Sequence, residues 1–134
     1  MDSPLGPIDI VSLDGRRLSG VYLPNHARRP GLPESEAAPI LTESARQLAE
    51  YFDGIRTAFD LPLDLDHGTE WQRRVWAVLA SIPHGAVRSY GEIARELGVA
   101  GASRAVGHAN ARNPISIVLP CHRVVGSKGE ATGY

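Results

Sequence analysis

Apolar residues alternate along the start of the chain and then switch to a helical spacing. Ile8, Ile10 and Ser12 alternate with polar or smaller neighbours, Asp14-Gly15 supplies a turn, and Leu18 to Leu23 forms a second run. This predicts two antiparallel strands around a turn. Residues 24–39, with Pro24, Asn25, Pro30, Gly31, Pro33 and Pro39, read as a loop. Leu41, Ala45, Leu48, Ala49 and Phe52 recur at helical spacing, with Thr42 as a candidate cap and Gly54 past the end. Phe59, Leu61 and Leu63 alternate with Asp60, Pro62 and Asp64, which predicts a further strand at a sheet edge.

The pattern changes at Asp64-Leu65-Asp66-His67-Gly68, which reads as a linker and divides the chain into 1–63 and 64–134. Thr69 precedes Gln72 by three, a capping box, and opens a helix with Trp71, Val75, Trp76 and Leu79 on one side. Arg73 and Arg74 face water, and Ile82-Pro83 stops the helix. The two tryptophans read first as core anchors and only second as stacking platforms. Ser89 and Glu92 form a second capping box, opening a helix from Tyr90 to Leu97 that buries Ile93, Ala94 and Leu97. Gly98 ends it, a turn runs to Gly101, and Ser103 is the candidate cap of a third helix carrying Ala105, Val106 and Ala109. Two short helices joined by a glycine-containing turn read as a helix-turn-helix. The fold class is therefore a small α/β scaffold followed by a mainly α helix-turn-helix domain, without internal repeats. The small residues of the third helix suit either a groove or a close neighbour helix. Arg104 near its start is either a solvated charge or a contacting side chain.

Composition narrows the classes. A chain of 134 residues suits one domain or two small ones, and its 43% hydrophobic content is enough for a core. No run of about 18 apolar residues occurs, so no transmembrane helix is expected. The N-terminus lacks a basic-then-apolar signal, which points to the cytoplasm. The single cysteine excludes an internal disulfide and a cysteine-rich zinc site, and five scattered histidines give no metal-ligand spacing. No metal or cofactor is expected. Net charge is −1, but residues 1–63 carry six Arg against nine Asp and Glu, whereas residues 64–134 carry eight Lys and Arg against six. A polyanion would meet the second part.

The candidate chemistry lies at Pro120-Cys121-His122-Arg123. Ile115 to Leu119 is apolar and β-branched, so it reads as a buried strand that Pro120 ends. Such a strand would hold the Cys121 thiol at the mouth of a pocket. An ordinary thiol is only roughly 3% thiolate at pH 7, so nucleophilic work needs a neighbour that takes the proton. His122 follows at once, but adjacent side chains on a strand face opposite sides. A bridging water or a bend at Cys121 would bring them together. The bland alternative is a buried, inert cysteine beside a surface histidine.

Gly68-Thr69-x-Trp71-Gln72, Val75-Trp76, Ile82-Pro83-x-Gly85, Ser89-Tyr90-Gly91-x-Ile93-Ala94, Arg104-Ala105-Val106-Gly107, Asn113-Pro114 and Pro120-Cys121-His122-Arg123-Val124 occur in order. Together they resemble the O6-alkylguanine-DNA alkyltransferases, or methylated-DNA–protein-cysteine methyltransferases, strongly over 68–134 and weakly over the first strands. The resemblance implies a ribonuclease-H-like first domain and a winged-helix-like second one. It implies single-turnover transfer of an alkyl group from guanine O6 to the thiol of Cys121, with activity on alkylated thymine left open. The partner would be duplex DNA bound through its minor groove, with the lesion flipped out of the stack. By the same resemblance Arg104 fills the vacated stack, and Ser89 and Tyr90 contact the adjoining phosphate. The carbonyls of Cys121 and Val124 accept from the guanine amine, and Asn113 ties its turn to the cysteine segment. Tyr134 lines the pocket, and His122 polarises the thiol. The family continues past this tyrosine to a glutamate that orients the histidine, so the chain reads as truncated at Tyr134. A monomer is expected, with cooperative binding on DNA left open. Two rival readings are a non-catalytic lesion-recognition protein, which in related sensors lacks the cysteine, and a thiol hydrolase using Cys121 and His122.

Overall fold

A computed structural model of the chain describes residues 1–24 and 38–126. Most of the predicted loop and Tyr134 lie outside the described residues. Contacts divide the chain into two compact units, Met1–Asp64 with Pro114–Ser116, and Leu65–Asn113 with Ile117–Tyr134.

In the first unit, β1 (Asp9–Val11) pairs antiparallel with β2 (Gly20–Tyr22), Ile10 opposite Val21. Their connection bends at Asp14-Gly15. The Asp14 carboxylate accepts from the backbone N–H groups of Arg16 and Arg17 at 2.8 Å each, and Gly15 takes a φ of 73° that a side chain would strain. Helix α1 (Pro39–Phe52) packs on β1. It starts earlier than its pattern suggests. Ala38 is the N-cap without a side-chain bond, and Pro39 opens the first turn, where its missing N–H costs nothing. Thr42 is thus inside the helix and caps nothing. The helix stops at Asp53, and Gly54 takes a left-handed φ of 76°.

The predicted strand at 59–63 is a single parallel bridge, Leu18 to Leu63. Leu18 N–H donates to the Pro62 carbonyl and Asp64 N–H to the Leu18 carbonyl, both at 2.8 Å. The alternation survives as burial, with Asp60 and Pro62 exposed between half-buried Phe59, Leu61 and Leu63. Pro62 cannot donate, so no longer ladder forms. Ile8, Leu18, Val21 and Leu48 are at most 1% exposed and make the core, joined by Ile115, which bridges Val21.

The second unit is built on helix packing. Helix α2 (Glu70–Ala80) and α3 (Tyr90–Glu96) both pack against α4 (Ser103–Ala111). Both capping boxes form. The Thr69 side chain accepts from Gln72 N–H, the Ser89 side chain from Glu92 N–H, and each Gln72 or Glu92 side chain bonds back. Ser103, in contrast, caps nothing: α4 begins after Ala102 without a side-chain bond, and Ser103 is its first residue. Leu97, the C-cap of α3, is half-buried rather than buried, and Ala105 is exposed. Val106, Gly107, Ala109 and Asn110 make the buried face of α4. The Trp76 indole N–H donates to the Ala109 carbonyl at 2.9 Å, locking α2 to α4. Gly68 is fixed by the same ring, since a Cβ there would lie 2.3 Å from Trp76 Cζ3. Strand β3 (Arg88–Ser89) runs parallel to β4 (Val124–Val125), Arg88 opposite Val124.

The predicted strand from Ile115 to Leu119 is not one. The run turns at Ile117 and Val118, with Ile117 held at φ 74°, a left-handed conformation that strains a β-branched residue. No ladder can continue through that turn, and side-chain donors take over part of the backbone bonding. Among the described residues no helix is long and apolar enough to cross a membrane, and no group of three or more His, Cys, Asp or Glu is placed to hold a metal.

Candidate functional site

The only cysteine begins a 3₁₀ turn, Cys121–Arg123, that leads into β4. Three backbone bonds shape its approach. Cys121 N–H donates to the Leu119 carbonyl at 2.8 Å around Pro120, whose φ of −79° and ψ of 65° are those of an inverse γ-turn. Arg123 N–H reaches the Pro120 carbonyl at 2.9 Å, and Val124 N–H closes on the Cys121 carbonyl. The Arg123 guanidinium anchors the turn by donating to the Ile82 carbonyl at 2.7 Å.

This turn supplies the bend that a strand would have denied. Successive residues in a 3₁₀ turn are rotated by about 120° rather than the 180° of a strand, so Cys121 and His122 do not face opposite ways. They differ in exposure, however. Cys121 is 2% exposed and His122 is exposed. The thiol therefore does not sit at an open pocket mouth as the sequence suggested, because the γ-turn at Pro120 tucks it inward. Protein packed about the His122 ring, and then the positive charges of Arg123 and His84, push its pKa below 6.5. The imidazole is neutral at pH 7 and able to accept a proton.

Two asparagines brace the cysteine turn from the end of α4. Asn113 Nδ2 donates to the Leu119 carbonyl at 2.9 Å, and Asn110 Nδ2 donates to the Cys121 carbonyl at 3.3 Å. Asn113 was legible in the sequence; Asn110 was not singled out. The available signal was its position, a polar residue four after Val106 and three after Gly107 on the buried stripe of α4.

The remaining sequence-predicted residues surround α3 and α4. Tyr90, first in α3, is 8% exposed and lays its ring against Gly107, where an added Cβ would lie 3.6 Å from Cε2. Its hydroxyl is buried without a hydrogen-bond partner. Ser89 is half-buried, and its Oγ accepts from Glu92 N–H at 3.1 Å. The Ser89 backbone N–H is used by the Glu92 carboxylate at 3.0 Å, so this helix start already carries a negative charge. These bonds, the backbone donor first, together with the charges of Arg88 and Arg95, hold the Glu92 carboxyl below its usual range. Arg104, second in α4, is exposed. It lines a groove of about 670 Å³ together with Thr69, Trp71, Gln72, Ala105 and His108. Trp71 forms one wall, its indole N–H donating to the Ala105 carbonyl at 3.2 Å and its face covered by Arg74 at 5.8 Å. Cys121 is not among the residues lining this groove. Val124 is buried in β4, opposite Arg88.

Known proteins carry the same two-part organisation. Residues 1–65 match the ribonuclease-like domain of 6-O-methylguanine DNA methyltransferase, and residues 70–134 match the DNA binding domain of the same family. The chain belongs to the 6-O-methylguanine DNA methyltransferase family. Over 138 residues it is 48% identical to the methylated-DNA–protein-cysteine methyltransferase of Mycobacterium leprae, covering 100% of this chain and 81% of that one. It is 45% identical to the protein of that name from Methanosarcina acetivorans, covering 99% and 85%. The crystal structure of Mycobacterium tuberculosis OGT in complex with DNA superposes with a TM-score of 0.91 at 45% identity, covering 100% of this chain and 81% of that one. A DNA-binding second domain and alkyl transfer to a cysteine are thereby family properties of this chain, and Cys121 is its only cysteine.

Proposed function

We propose that this methyltransferase repairs duplex DNA by taking the alkyl group of O6-alkylguanine onto Sγ of Cys121, once per molecule. The observation that carries the reading is the cysteine turn itself, bonded through Asn110 and Asn113 to the helix that presents Arg104. Helices α3 and α4 act as the helix-turn-helix and approach the minor groove with the N-terminal part of α4. Arg104, exposed and one residue into the helix, enters the stack in place of the flipped nucleotide, and its guanidinium faces the orphaned base. Ser89, whose Oγ closes the capping box at the start of α3, meets the phosphate beside the lesion. Tyr90 brings an unpartnered hydroxyl to the extruded nucleotide.

At the sulfur, neutral His122 takes the thiol proton. Sγ attacks the alkyl carbon in line, the Sγ–C bond forms as the C–O6 bond breaks, and guanine leaves with the electron pair. The Val124 and Cys121 carbonyls hold the base by its exocyclic amine. The product is a thioether, which has no hydrolytic route back to the thiol, so no turnover follows. The protein acts as a monomer, without metal or cofactor, in the cytoplasm.

The test is intact mass after incubation with a duplex carrying one O6-methylguanine. One methyl gained on the peptide containing Cys121, and none with Cys121→Ser, is the expected result; an unmodified thiol on folded protein bound to the lesion would replace this reading with lesion recognition. Binding should also weaken steeply as salt rises, because phosphate contacts release counterions.

A further inference from the structure

The connection between α3 and α4 has little to hold it in place locally. Residues 98–101 are exposed, and Gly98 and Gly101 take left-handed φ values of 78° and 90°. Two backbone bonds shape the turn, Val99 N–H to the Ala94 carbonyl at 2.9 Å and Ala102 N–H to the Val99 carbonyl at 3.0 Å. Beyond it α4 begins without a side-chain cap, so Ala102 offers the first-turn N–H groups no side-chain acceptor. Arg104 stands in that first turn, exposed, and nothing among the described residues bonds its guanidinium. A side chain that must enter a base stack thus rises from a turn with weak support of its own.

Two residues of α2 supply support from outside. Trp71 and Arg74 are three apart and share one face of the helix. Arg74 Nη2 donates to the Leu97 carbonyl at 2.8 Å. Leu97 is the C-cap of α3, where carbonyls lack helical partners and a cation complements the negative helix end. Trp71 Nε1 donates to the carbonyl of Ala105, the residue after Arg104, at 3.2 Å. The Arg74 guanidinium lies 5.8 Å from the centroid of the Trp71 ring, so both bonds come from one stacked pair. That pair grips the end of α3 and the start of α4 together, across the turn. Trp76 also bonds α4, but one turn further in, at Ala109. Arg73, the neighbour of Arg74, is exposed and its guanidinium makes no such bond among the described residues.

We propose that Arg74 and Trp71 are positioning residues for nucleotide extrusion, fixing the first turn of α4 so that Arg104 meets the duplex already in place. This rests on the alkyl-transfer reading and on the stack-filling role of Arg104, and it adds to them the device that aims the arginine. The physical ground is preorganisation. When the support of Arg104 is loose, the cost of ordering it falls on the extrusion step itself. Neither positioning residue touches the reacting atoms. Reaction with a free base, which needs no extrusion, is therefore indifferent to them.

The experiment measures single-turnover transfer from a saturating duplex carrying O6-methylguanine and, separately, from the free base O6-methylguanine. Arg74→Ala should slow duplex transfer by about tenfold and leave the free-base reaction at the wild-type rate. Trp71→Phe, which keeps a ring but loses the N–H, should act in the same direction more weakly. Arg73→Ala removes the same charge from the same helix and should leave both rates unchanged. With Arg104→Ala as background, Arg74→Ala should add almost nothing, because the residue it aims is gone. Full additivity of Arg74→Ala and Arg104→Ala overturns the proposal, and so does equal slowing by Arg74→Ala on both substrates, which would make the pair a structural brace alone. An equal loss in Arg73→Ala also overturns it, since charge and not placement would then be at work. If Arg104→Ala transfers from the duplex at the wild-type rate, the role of Arg104 falls; if wild type transfers from neither substrate, the alkyl-transfer reading falls. Either result takes this proposal with it and is distinct from its own failure. If Arg74→Ala does not fold, Trp71→Phe in the same cycle with Arg104→Ala decides.

Discussion

Two buried carboxamides, one in each unit, show how differently the protein uses the same chemical group. Gln47 in α1 is 2% exposed and its amide is engaged at both ends. Nε2 donates to the Asp60 carbonyl at 3.0 Å and to Glu43 Oε1 at 2.8 Å, and Oε1 accepts from Asp60 N–H at 2.9 Å. This closed set pins the segment after α1 to the helix. Asn110 in α4 is buried as deeply but uses only its donor, and the bond goes to the cysteine that carries the chemistry. The first amide ties one stretch of scaffold to another, whereas the second spends its donor on the carbonyl of the nucleophile's own residue. The same contrast extends to charge. Asp64, 2% exposed in the first unit, accepts from Ser19 Oγ at 2.9 Å and lies 3.5 Å from the Arg17 guanidinium. Arg104 in the second unit has its exposed head on a groove wall.

The most severe way to break this division is at the sulfur. Cys121→Ser should fold normally, because a hydroxyl of similar size replaces a thiol whose backbone is held by Leu119 and Asn110. It should transfer no alkyl group at all, measured as methyl gain by intact mass. Retained transfer would place the acceptor elsewhere and end the assignment of chemistry to the second unit.

Next in size is Asp64→Ala. It leaves the buried Ser19 hydroxyl without this partner and removes a carboxylate from beside Arg17. The expected cost is about 2–3 kcal/mol in urea unfolding, while the single-turnover rate constant per folded molecule stays at the wild-type value. A slowed rate in folded protein would show that the first unit does more than support.

Those two sites were not equally legible. The helix starts at Thr69 and Ser89 could be read because a capping box is local, with donor and acceptor three residues apart. The glycine at 68 belonged to a motif, but its reason, the Trp76 ring 2.3 Å from any Cβ, is tertiary. The strand expected at 115–119 failed for a related cause. Its β-branched run matches strand propensity, yet the backbone turns at Ile117 and Leu119 is bonded by Asn113 from beyond α4. Propensity lost to a side-chain clamp that periodicity cannot display. The thiol's burial was hidden for the same reason, since it follows from the γ-turn that this clamp shares. Cys121, His122, Arg104 and Tyr90 stand out in the sequence by motif, whereas nothing local marks Asn110, whose bond to the Cys121 carbonyl is tertiary.

The pH profile of transfer gives a smaller effect. The His122 pKa is depressed by enclosure, then by the charge of Arg123 and by the neighbouring His84, so the neutral imidazole predominates at pH 7. As pH falls through the lowered value the proton acceptor is lost, and the rate should drop by about tenfold per unit below it. The sign for stability is the same: a depressed folded-state pKa gives a contribution present above 6.5 and lost on acidification. His84→Gln removes the smallest of the three contributions that lower His122, so it should move the acid limb of the rate profile upward toward 6.5. No movement, or a limb above 6.5 in wild type, would remove His122 from the proton path.

Ser44 gives the smallest effect and the sharpest control. Its hydroxyl in α1 is, like Asn110 Oδ1, fully buried and without a hydrogen-bond partner. An orphaned polar atom alone would then nominate both residues as functional. What separates them is surroundings, because Ser44 lies in a helix interior of the first unit, whereas Asn110 bonds the nucleophile's carbonyl. Ser44→Ala removes a hydroxyl that was desolvated without return and raises helix propensity, against the loss of one small atom's packing. The balance is neutral to stabilising by up to about 1 kcal/mol, read from the urea midpoint at unchanged m, with transfer from the O6-methylguanine duplex unaltered. If Ser44→Ala slowed transfer in folded protein, a buried polar atom of the first unit would have to be counted with the chemistry of the second.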